Sequence, residues 1–284
     1  MPKVEVFPSF KKLFAERQFD RFDRVMAFAD GEKMKGNRHR SVVKFHLDSN
    51  GAGADFYLKR HLWPELKDKV RDLLALRFPL SDGQQELENI RAVAALKIPT
   101  MNPAAWGERR RGFLRRQSFL ITESLGELER LENYLTRRFA RPLSPAERLE
   151  KRRLLAAVAA MVRRLHGAGL FHHDLYCGHI LVKENPAADP TLYLIDLQRV
   201  RPHFLRRRRW QAKDLSALDY TADPRAISRA DRLRFFLQYL GMPLKPSPLL
   251  TPSLKRWIYQ ILRRTRRTAR HTEKKRARYL QIPK

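Results

Sequence analysis

The spacing of apolar residues predicts several strands in the first half of the chain and mainly helices in the second. Apolar and polar residues alternate in places over Ser41–Leu47, and Asp55–Arg60 and Phe119–Leu125 are short runs rich in apolar and aromatic residues, which is typical of strands. Between them, Gln84–Leu96 repeats apolar residues at i, i+3, i+6 and i+7, the pattern of a helix packed on one face. Pro99 is expected to end this helix.

Polar and basic stretches predict the turns of this first half. Asp30–Arg40 is mostly polar and is expected to be the turn before Ser41–Leu47, and Trp106–Arg116 is expected to be a basic turn before Phe119–Leu125. Ahead of them, Lys11–Phe28 mixes Phe and Leu with charged residues in a helix-like pattern. The expected order is therefore a helical lead-in followed by a sheet with one helix.

The second half carries start and stop signals of helices. Ser144 is placed as an N-cap, with Pro at the first helical position and Glu147 at the third, and this combination favours a helix start. The apolar pattern then continues to Leu165. Asp231–Leu240 is a further predicted helix, ended by Gly241.

The C-terminal part combines a connector with a basic helix. Pro243–Pro252 contains four prolines and predicts an extended connector. The segment beyond it has an apolar stripe at helical spacing, formed by Leu254, Trp257, Ile258, Ile261 and Leu262. The remaining face is rich in Lys and Arg, which is typical of helices that bind an anionic membrane surface. Packing of the stripe on the rest of the protein is the alternative, and both can hold together.

Charge adds information about partners. The chain has 284 residues and a formal net charge of +29, from 59 Lys and Arg against 30 Asp and Glu. This length fits one or two domains, and the excess of positive charge repels itself unless it meets an anion. The candidate partners are nucleic acid, an anionic membrane and a polyanionic substrate.

Targeting signals and cysteine content indicate the compartment. The N-terminus lacks the apolar core of a signal peptide, and the longest apolar run, Leu154–Val162, is far shorter than a spanning helix requires. We therefore expect a soluble or peripheral protein on the cytoplasmic side. Cys177 is the single cysteine, which fits a reducing compartment, and we expect it to be a buried filler rather than a nucleophile.

The stretch Leu165–Val200 carries the residues that best indicate a chemistry. A loop after a helix presents Asp174, with His179 five residues later, and the strand-like run Leu192–Ile195 delivers Asp196. Two acids at the ends of neighbouring strands suit phosphoryl transfer. One can accept the proton of the acceptor hydroxyl, and the other can hold Mg²⁺ on the nucleotide phosphates.

The same stretch resembles the catalytic core of protein kinases. The kinase pattern H-R-D-x-x-x-x-N appears as H-H-D-x-x-x-x-H ending at His179, and D-F-G appears as D-L-Q beginning at Asp196. With these departures the chain resembles the bacterial lipopolysaccharide kinases, which phosphorylate heptose or Kdo sugars of the inner core, from about Val25 to Tyr239. The resemblance implies an α+β, bilobal protein-kinase-like fold, with a β-rich N-lobe, a mainly helical C-lobe and a basic C-terminal helical tail.

The resemblance also implies domains, cofactors and partners. We expect an N-lobe at residues 1–125, a C-lobe with the catalytic loop at 126–243, and the connector and basic helix at 244–284. ATP and Mg²⁺ are the implied cofactors, and the implied acceptor is the lipopolysaccharide core linked to lipid A. The expected location is the cytoplasmic face of the inner membrane, as a peripheral monomer on an anionic surface, with no nucleic-acid partner.

Site roles follow from the resemblance as well. Asp174 is the expected catalytic base, with His172 and Asp214 supporting its loop, and Asp196 and His179 are the expected metal ligands. The residues implied in ATP binding are Lys59, its ion-pair partner Glu86, Gly31 and Gly36 in the phosphate loop, and the backbone of Glu123 and Leu125. Glu88 is the alternative partner of the lysine.

The segment after the second acid is the expected acceptor site, because acceptors of kinases bind there. It contains Arg199, Arg201, Arg206, Arg207, Arg208 and Arg209. An acceptor bound by arginines carries phosphates or carboxylates, as lipid A and Kdo do.

Two other functions compete with this interpretation. A nucleic-acid-binding protein would explain the charge, but no binding motif is recognisable and aromatic residues are not interleaved with the basic runs. A kinase fold that has lost catalysis would explain the missing Gly and Asn, while the retained Lys59, Glu86, Asp174 and Asp196 count against it. The enzyme hypothesis requires Lys59, Asp174 and Asp196 to converge on one nucleotide.

Overall fold

The computed structural model describes residues 1–36, 39–49, 52–62, 80–110, 116–185, 188–244 and 250–280. The chain divides into two compact units, one formed by residues 1–95 and 100–127 and the other by 96–99 and 128–284. The first unit contains an antiparallel sheet, and the second is mainly helical. The predicted α+β class is therefore confirmed.

The described residues of the first unit form a six-stranded antiparallel sheet in the order β1-β5-β6-β4-β3-β2. Its strands are β1 (Lys3–Val6), β2 (Glu32–Gly36), β3 (Arg40–Ser49), β4 (Ala52–His61), β5 (Asn102–Arg110) and β6 (Arg116–Glu123). Among its described residues, the helices are α1 (Lys11–Ala15), α2 (Phe22–Ala27) and α3 (Asp82–Ala95).

The two faces of this sheet bury different side chains. On one face, Phe56 and Leu58 of β4 belong to a core that includes Phe14 of α1, whose ring lies 5.2 Å from that of Phe56. Because side chains alternate along a strand, Lys59 points to the opposite face, where it meets Glu86 of α3. The aromatic core therefore fixes the strand whose other side presents the lysine.

Two predicted turns are wrong in extent. Within Asp30–Arg40, Glu32–Gly36 forms β2 and pairs with β3. Polar strands are tolerated at a sheet edge, where only one neighbour is needed. Within Trp106–Arg116, the residues up to Arg110 belong to β5, which is paired on both sides by β1 and β6. Residues 111–115 lie outside the described residues.

The described part of the second unit is mainly helical, and its strands are short. Its helices are α4 (Leu131–Phe139), α5 (Pro145–Gly167), α6 (Arg207–Thr221), α7 (Arg229–Leu240) and α8 (Pro252–Leu280). Its strands are β7 (Glu129–Arg130), β8 (Leu170–Phe171), β9 (Ile180–Lys183), β10 (Thr191–Leu194) and β11 (Arg201–Pro202). They form a three-stranded sheet, β10-β9-β7, and a β11-β8 pair.

The predicted start of α5 and the predicted end of α7 are confirmed, whereas α7 begins at Arg229, two residues before the predicted Asp231. The Ser144 hydroxyl accepts the Glu147 backbone N–H, and the Glu147 carboxylate accepts the Ser144 N–H, which is a capping box. Hydrogen bonds from Arg141 and Ser144 lower the pKa of Glu147 to about 2. At the other helix, Gly241 adopts φ 69° and closes α7, a left-handed conformation that favours glycine.

The C-terminal stripe packs on its own unit. Trp257 and Ile261 are buried, and Trp257 Nε1 donates a hydrogen bond to the Arg208 carbonyl of α6 at 3.1 Å. The predicted helical tail is confirmed, and residues 245–249 of the predicted connector lie outside the described residues. In the part of the chain that the structure describes, no helix combines the length and the apolar content that crossing a bilayer requires.

Candidate active site

A buried carboxylate holds the loop that follows β8. Asp214, on α6, accepts the backbone N–H of His172 at 2.7 Å and that of His173 at 2.9 Å. The His166 ring at the end of α5 lies 3.2 Å from the same carboxylate. Burial alone would raise the pKa of Asp214, but the interaction with His166 and the loop N–H groups lowers it. The loop backbone is therefore fixed by an ionised side chain from a different helix.

His172 ties this loop to the segment that carries the second acid. Its ring is fully buried, and Nε2 lies 3.0 Å from the Ile195 carbonyl, to which it must donate. Burial lowers the pKa of His172, so the ring is neutral and has its single proton on Nε2. The structure thus places His172 and Asp214 against the loop backbone, and their support of catalysis stays a prediction.

Three predicted residues lie together beyond this support. His179 Nδ1 donates to the backbone carbonyl of Asp174 at 2.8 Å, and its Nε2 lies 3.6 Å from Asp196 Oδ2. Asp196 adopts φ 57°, a left-handed conformation that Asp tolerates better than most residues. The histidine therefore bridges the backbone of one acid and the side chain of the other.

The pair His179 and Asp196 fits a Mg²⁺ bound mainly by nucleotide phosphates. Because Nδ1 donates to Asp174, a neutral His179 presents the Nε2 lone pair towards the Asp196 carboxylate. Within the described residues, no group of three or more His, Cys, Asp or Glu side chains is arranged to hold a metal. Mg²⁺ commonly takes only one or two carboxylates and completes its coordination with phosphates and water, so a small protein donor set is consistent with it.

Arg199 contacts the predicted base itself. Its Nη1 donates to both carboxylate oxygens of Asp174, at 2.9 and 3.2 Å. The sequence placed Arg199 with the acceptor-binding arginines, and its position against Asp174 adds a contact that the sequence did not reveal. The contact keeps a positive charge beside the carboxylate that would accept a proton.

A ring cluster behind Asp174 was missed by the sequence. Lys213 Nζ lies 3.2 Å from His173 Nδ1, and His173 Nε2 lies 3.0 Å from His203 Nε2. The His203 ring stacks on Trp210 at 4.1 Å. Burial and, to a smaller extent, the charge of Lys213 lower the pKa of His173 to about 3. A neutral His173 therefore accepts a hydrogen bond from Lys213 and donates one to His203. The residue in place of the kinase arginine thus binds the following segment directly.

The first unit contains the predicted lysine pair. Lys59 Nζ donates to Glu86 Oε1 at 2.5 Å, and the Glu86 side chain is fully buried. The alternative acid, Glu88, pairs with Arg91 on the surface at 3.0 Å. The partner of Lys59 in the structure is therefore Glu86.

The other residues predicted for ATP lie at strand ends of the same unit. Gly31 precedes β2 with φ 140°, and a Cβ there would lie 2.5 Å from the Lys44 carbonyl, so the position requires glycine. Gly36 ends β2, and Glu123 ends β6 and accepts from Asn102 at 2.8 Å. Leu125 follows it. No contact of these residues tests a nucleotide role, which stays a prediction.

Four of the five remaining arginines predicted for the acceptor contact other groups of the chain. Arg201 donates to the Gln198 and Val200 carbonyls. Arg207 donates to the His166 and Gly167 carbonyls at the end of α5. Arg208 bonds to Ser253, and Arg209 lies over the Trp210 ring. Arg206 is exposed at the start of α6. Their binding of acceptor anions stays a prediction.

Comparison with protein-family models matches residues 29–239 to the lipopolysaccharide kinase (Kdo/WaaP) family. The chain is 33% identical over 227 residues to the lipopolysaccharide core heptose(I) kinase WaaP of Escherichia coli K12, covering 77% of this chain and 83% of that protein. It is 34% identical over 242 residues to the enzyme of that name from Pseudomonas aeruginosa PAO1, covering 83% and 85%.

A solved structure has a similar fold. It is described as WaaP in complex with acyl carrier protein, with a TM-score of 0.70 and 28% identity, and the match covers 93% of this chain and 98% of that one. The sequence and fold comparisons therefore agree.

Proposed function

Because the chain belongs to the lipopolysaccharide kinase (Kdo/WaaP) family, we propose that it transfers the γ-phosphoryl group of ATP to a heptose hydroxyl of the lipopolysaccharide inner core. The family identifies the chain as a phosphotransferase that acts on a sugar hydroxyl of this core. The specific sugar and the use of ATP are our proposal. Its main support is the position of Asp174, which is held by Arg199 and linked through His179 to Asp196.

In the proposed reaction, residues of the chain accept the proton, bind the nucleotide phosphates and hold the metal. Asp174 accepts the proton of the sugar hydroxyl, whose oxygen forms the new bond to the γ-phosphorus. The bond from that phosphorus to the bridging oxygen breaks, and ADP leaves. Lys59, oriented by Glu86, binds the nucleotide phosphates. Asp196, with His179, would hold Mg²⁺, which when bound neutralises charge on the phosphates.

Phosphate transfer to purified core lipopolysaccharides that lack defined phosphates tests this proposal. We expect mass spectrometry to find one added phosphate on heptose, dependent on ATP and Mg²⁺. A matched pair of variants, Glu86→Gln and Glu88→Gln, tests the nucleotide contact. The first should raise KM for ATP about tenfold, since Lys59 loses its ionised partner, and the second should behave as the wild type. Failure to phosphorylate any core acceptor would refute the proposal.

We also propose that the enzyme works at the cytoplasmic face of the inner membrane. The net charge of +29 and the exposed basic residues of α8, including Lys255, Arg256 and Arg263, support attraction to an anionic leaflet, where each such residue contributes about 1 kcal/mol. Fractionation of cells should recover the protein with the inner membrane and release it at high salt. Recovery in the soluble fraction at low salt would contradict this location.

An acyl carrier protein is a second proposed partner. The support is the structural neighbour, which was solved in complex with acyl carrier protein and is matched over 98% of its length. Size-exclusion chromatography of the chain mixed with purified acyl carrier protein, with and without an acyl group, should show co-elution. Separate elution of both forms would remove this partner.

A further inference from the structure

Two large apolar side chains stand exposed between β11 and α6. Phe204 and Leu205 are consecutive, and they are 80% and 83% exposed. Single exposed apolar residues are common, but adjacent ones at this exposure are a contiguous apolar surface in contact with water. Such surfaces mark sites of protein or membrane contact.

The backbone around this pair is held in place on both sides. Before the pair, the His203 N–H donates to the Gly169 carbonyl at 2.9 Å, and the His203 ring stacks on Trp210. After it, the Arg207 guanidinium binds the carbonyl groups of His166 and Gly167. The exposure of the two side chains is therefore a feature of an anchored loop.

Positive charges border the apolar pair. Arg206, Arg208 and Arg209 follow it directly and are exposed. The first turn of α8 is attached here, because Ser253 accepts from Arg208 at 3.1 Å and Trp257 donates to the Arg208 carbonyl. The same part of α8 carries the exposed Lys255. An apolar tip followed directly by cations matches a bilayer surface, where anionic headgroups overlie hydrocarbon.

We propose that Phe204 and Leu205 form an apolar wedge that enters the interface of an anionic bilayer while the bordering cations bind lipid phosphates. This inference rests on the proposed function, since an enzyme acting on a lipid-linked acceptor must work at the membrane. Two side chains cover far less than the roughly 1,200 Å² that a stable protein interface buries. Binding to a bilayer requires no such minimum area, because the free energies of apolar insertion and of electrostatic attraction add.

The test compares two double variants on vesicles. In Phe204→Ser/Leu205→Ser the wedge is removed. In Leu149→Ser/Leu233→Ser, two other exposed leucines, 53% and 46% exposed, are replaced as the control. Co-sedimentation with phosphatidylcholine vesicles, with and without phosphatidylglycerol, measures binding. We expect the wedge variant to bind the anionic vesicles about tenfold less tightly and the control to bind as the wild type does.

A second variant provides a test that does not depend on correct folding of the wedge variant. Phe204→Trp keeps the apolar character, and its added fluorescence should be quenched by brominated lipids. Equal vesicle binding by wild type and wedge variant would overturn the proposal. Loss of self-association or of acyl carrier protein binding, with vesicle binding unchanged, would overturn it too and assign the pair to a protein.

Activity on a water-soluble core oligosaccharide separates this inference from the proposed function. The wedge variant should lose more activity on lipopolysaccharide in vesicles than on that soluble acceptor, because the two side chains act at the bilayer surface. If the wild type fails on every core acceptor while the vesicle difference persists, the proposed reaction is wrong and the wedge stands.

Discussion

The loop from His172 to His179 has two sides that differ in almost every physical property. On the inner side, His172 and Cys177 are 0% and 1% exposed, and Asp214 binds the backbone there. On the outer side, the side chains of Asp174 and His179 are 23% and 26% exposed. The inner contacts are made to backbone groups and are buried, whereas the outer side chains meet charged groups: Arg199 donates to the Asp174 carboxylate, and His179 Nε2 lies 3.6 Å from Asp196 Oδ2.

This difference teaches how a short loop can be both rigid and reactive. A positioned base must be held close to its productive geometry, yet it must remain open to its substrate. Here the rigidity comes from a buried carboxylate that fixes two consecutive N–H groups, so Asp174, the next residue, inherits a fixed backbone. Variants of the two sides should therefore have different signatures.

The largest expected effect is on the outer side. Asp174→Asn keeps the size of the side chain but cannot accept a proton, so kcat should fall by about 10² to 10⁴-fold. Binding of ATP and the melting temperature should stay close to the wild-type values, because the inner contacts are intact. Turnover assays, calorimetric titration with ATP and thermal melting together check this. Retention of full activity would remove Asp174 from the role.

The inner side should respond in stability as well as rate. Asp214→Ala leaves the His172 and His173 N–H groups without a buried acceptor, which should cost about 3 kcal/mol of unfolding free energy. We expect turnover to fall about 10 to 100-fold and amide exchange in the loop to accelerate. The control Asp189→Ala, at a surface ion pair with Arg153, should change neither. Unchanged loop exchange in Asp214→Ala would contradict the bracing role.

The pH dependence of that stability has a definite sign. Because the pKa of Asp214 is lowered in the folded state, its contribution is present above the pKa of an unfolded aspartate and is lost as pH falls through the folded value. The gap in melting temperature between wild type and Asp214→Ala should therefore be constant near neutral pH and narrow in acid. A gap that widens in acid would contradict this sign.

Arg199 should give a smaller effect, confined to the outer side. Arg199→Lys keeps the charge, but an ammonium lacks the planar guanidinium that contacts both oxygens of Asp174. We expect kcat to fall about fivefold with little change in melting temperature. Arg201→Lys is the comparison, since Arg201 donates to the Gln198 and Val200 backbone carbonyls and should affect stability more than rate. Equal kinetic losses in both would show that the Asp174 contact has no special role.

The sequence predicted the outer side better than the inner one, because the acids lie in short local motifs. Asp174, His179 and Asp196 stand at the positions of the kinase motifs H-R-D-x-x-x-x-N and D-F-G, and the resemblance implied them. The partners of the inner side are far away in sequence: His166 and Asp214 are separated by 48 positions, and His173 and His203 by 30. The family resemblance implied that Asp214 supports the loop, but no local spacing indicates its contact with His166 or the contact between His173 and His203.

The helical spacing of Glu86 and Glu88 indicates which of the two pairs with Lys59. Glu86 stands four positions before Ile90 and seven before Val93, so it lies on the buried stripe of α3. Glu88 lies off that stripe, where it meets Arg91. Strand β2 could not be predicted in this way, because its stability comes from pairing with β3 and its residues are polar.

The smallest expected effect comes from Cys177, which lies in the catalytic loop by sequence but belongs to its inner side. Its thiol is buried and donates to the Leu218 carbonyl at 3.6 Å, and burial raises its pKa to about 11. Since the thiolate is the reactive form, alkylation of the native protein at neutral pH should be far slower than in urea. Cys177→Ala should keep kcat within about twofold while lowering stability by about 1 kcal/mol. Rapid labelling of the native enzyme, or a loss of turnover without a loss of stability, would show that Cys177 is accessible or takes part in turnover. Either result would contradict the proposed difference between the two sides of the loop.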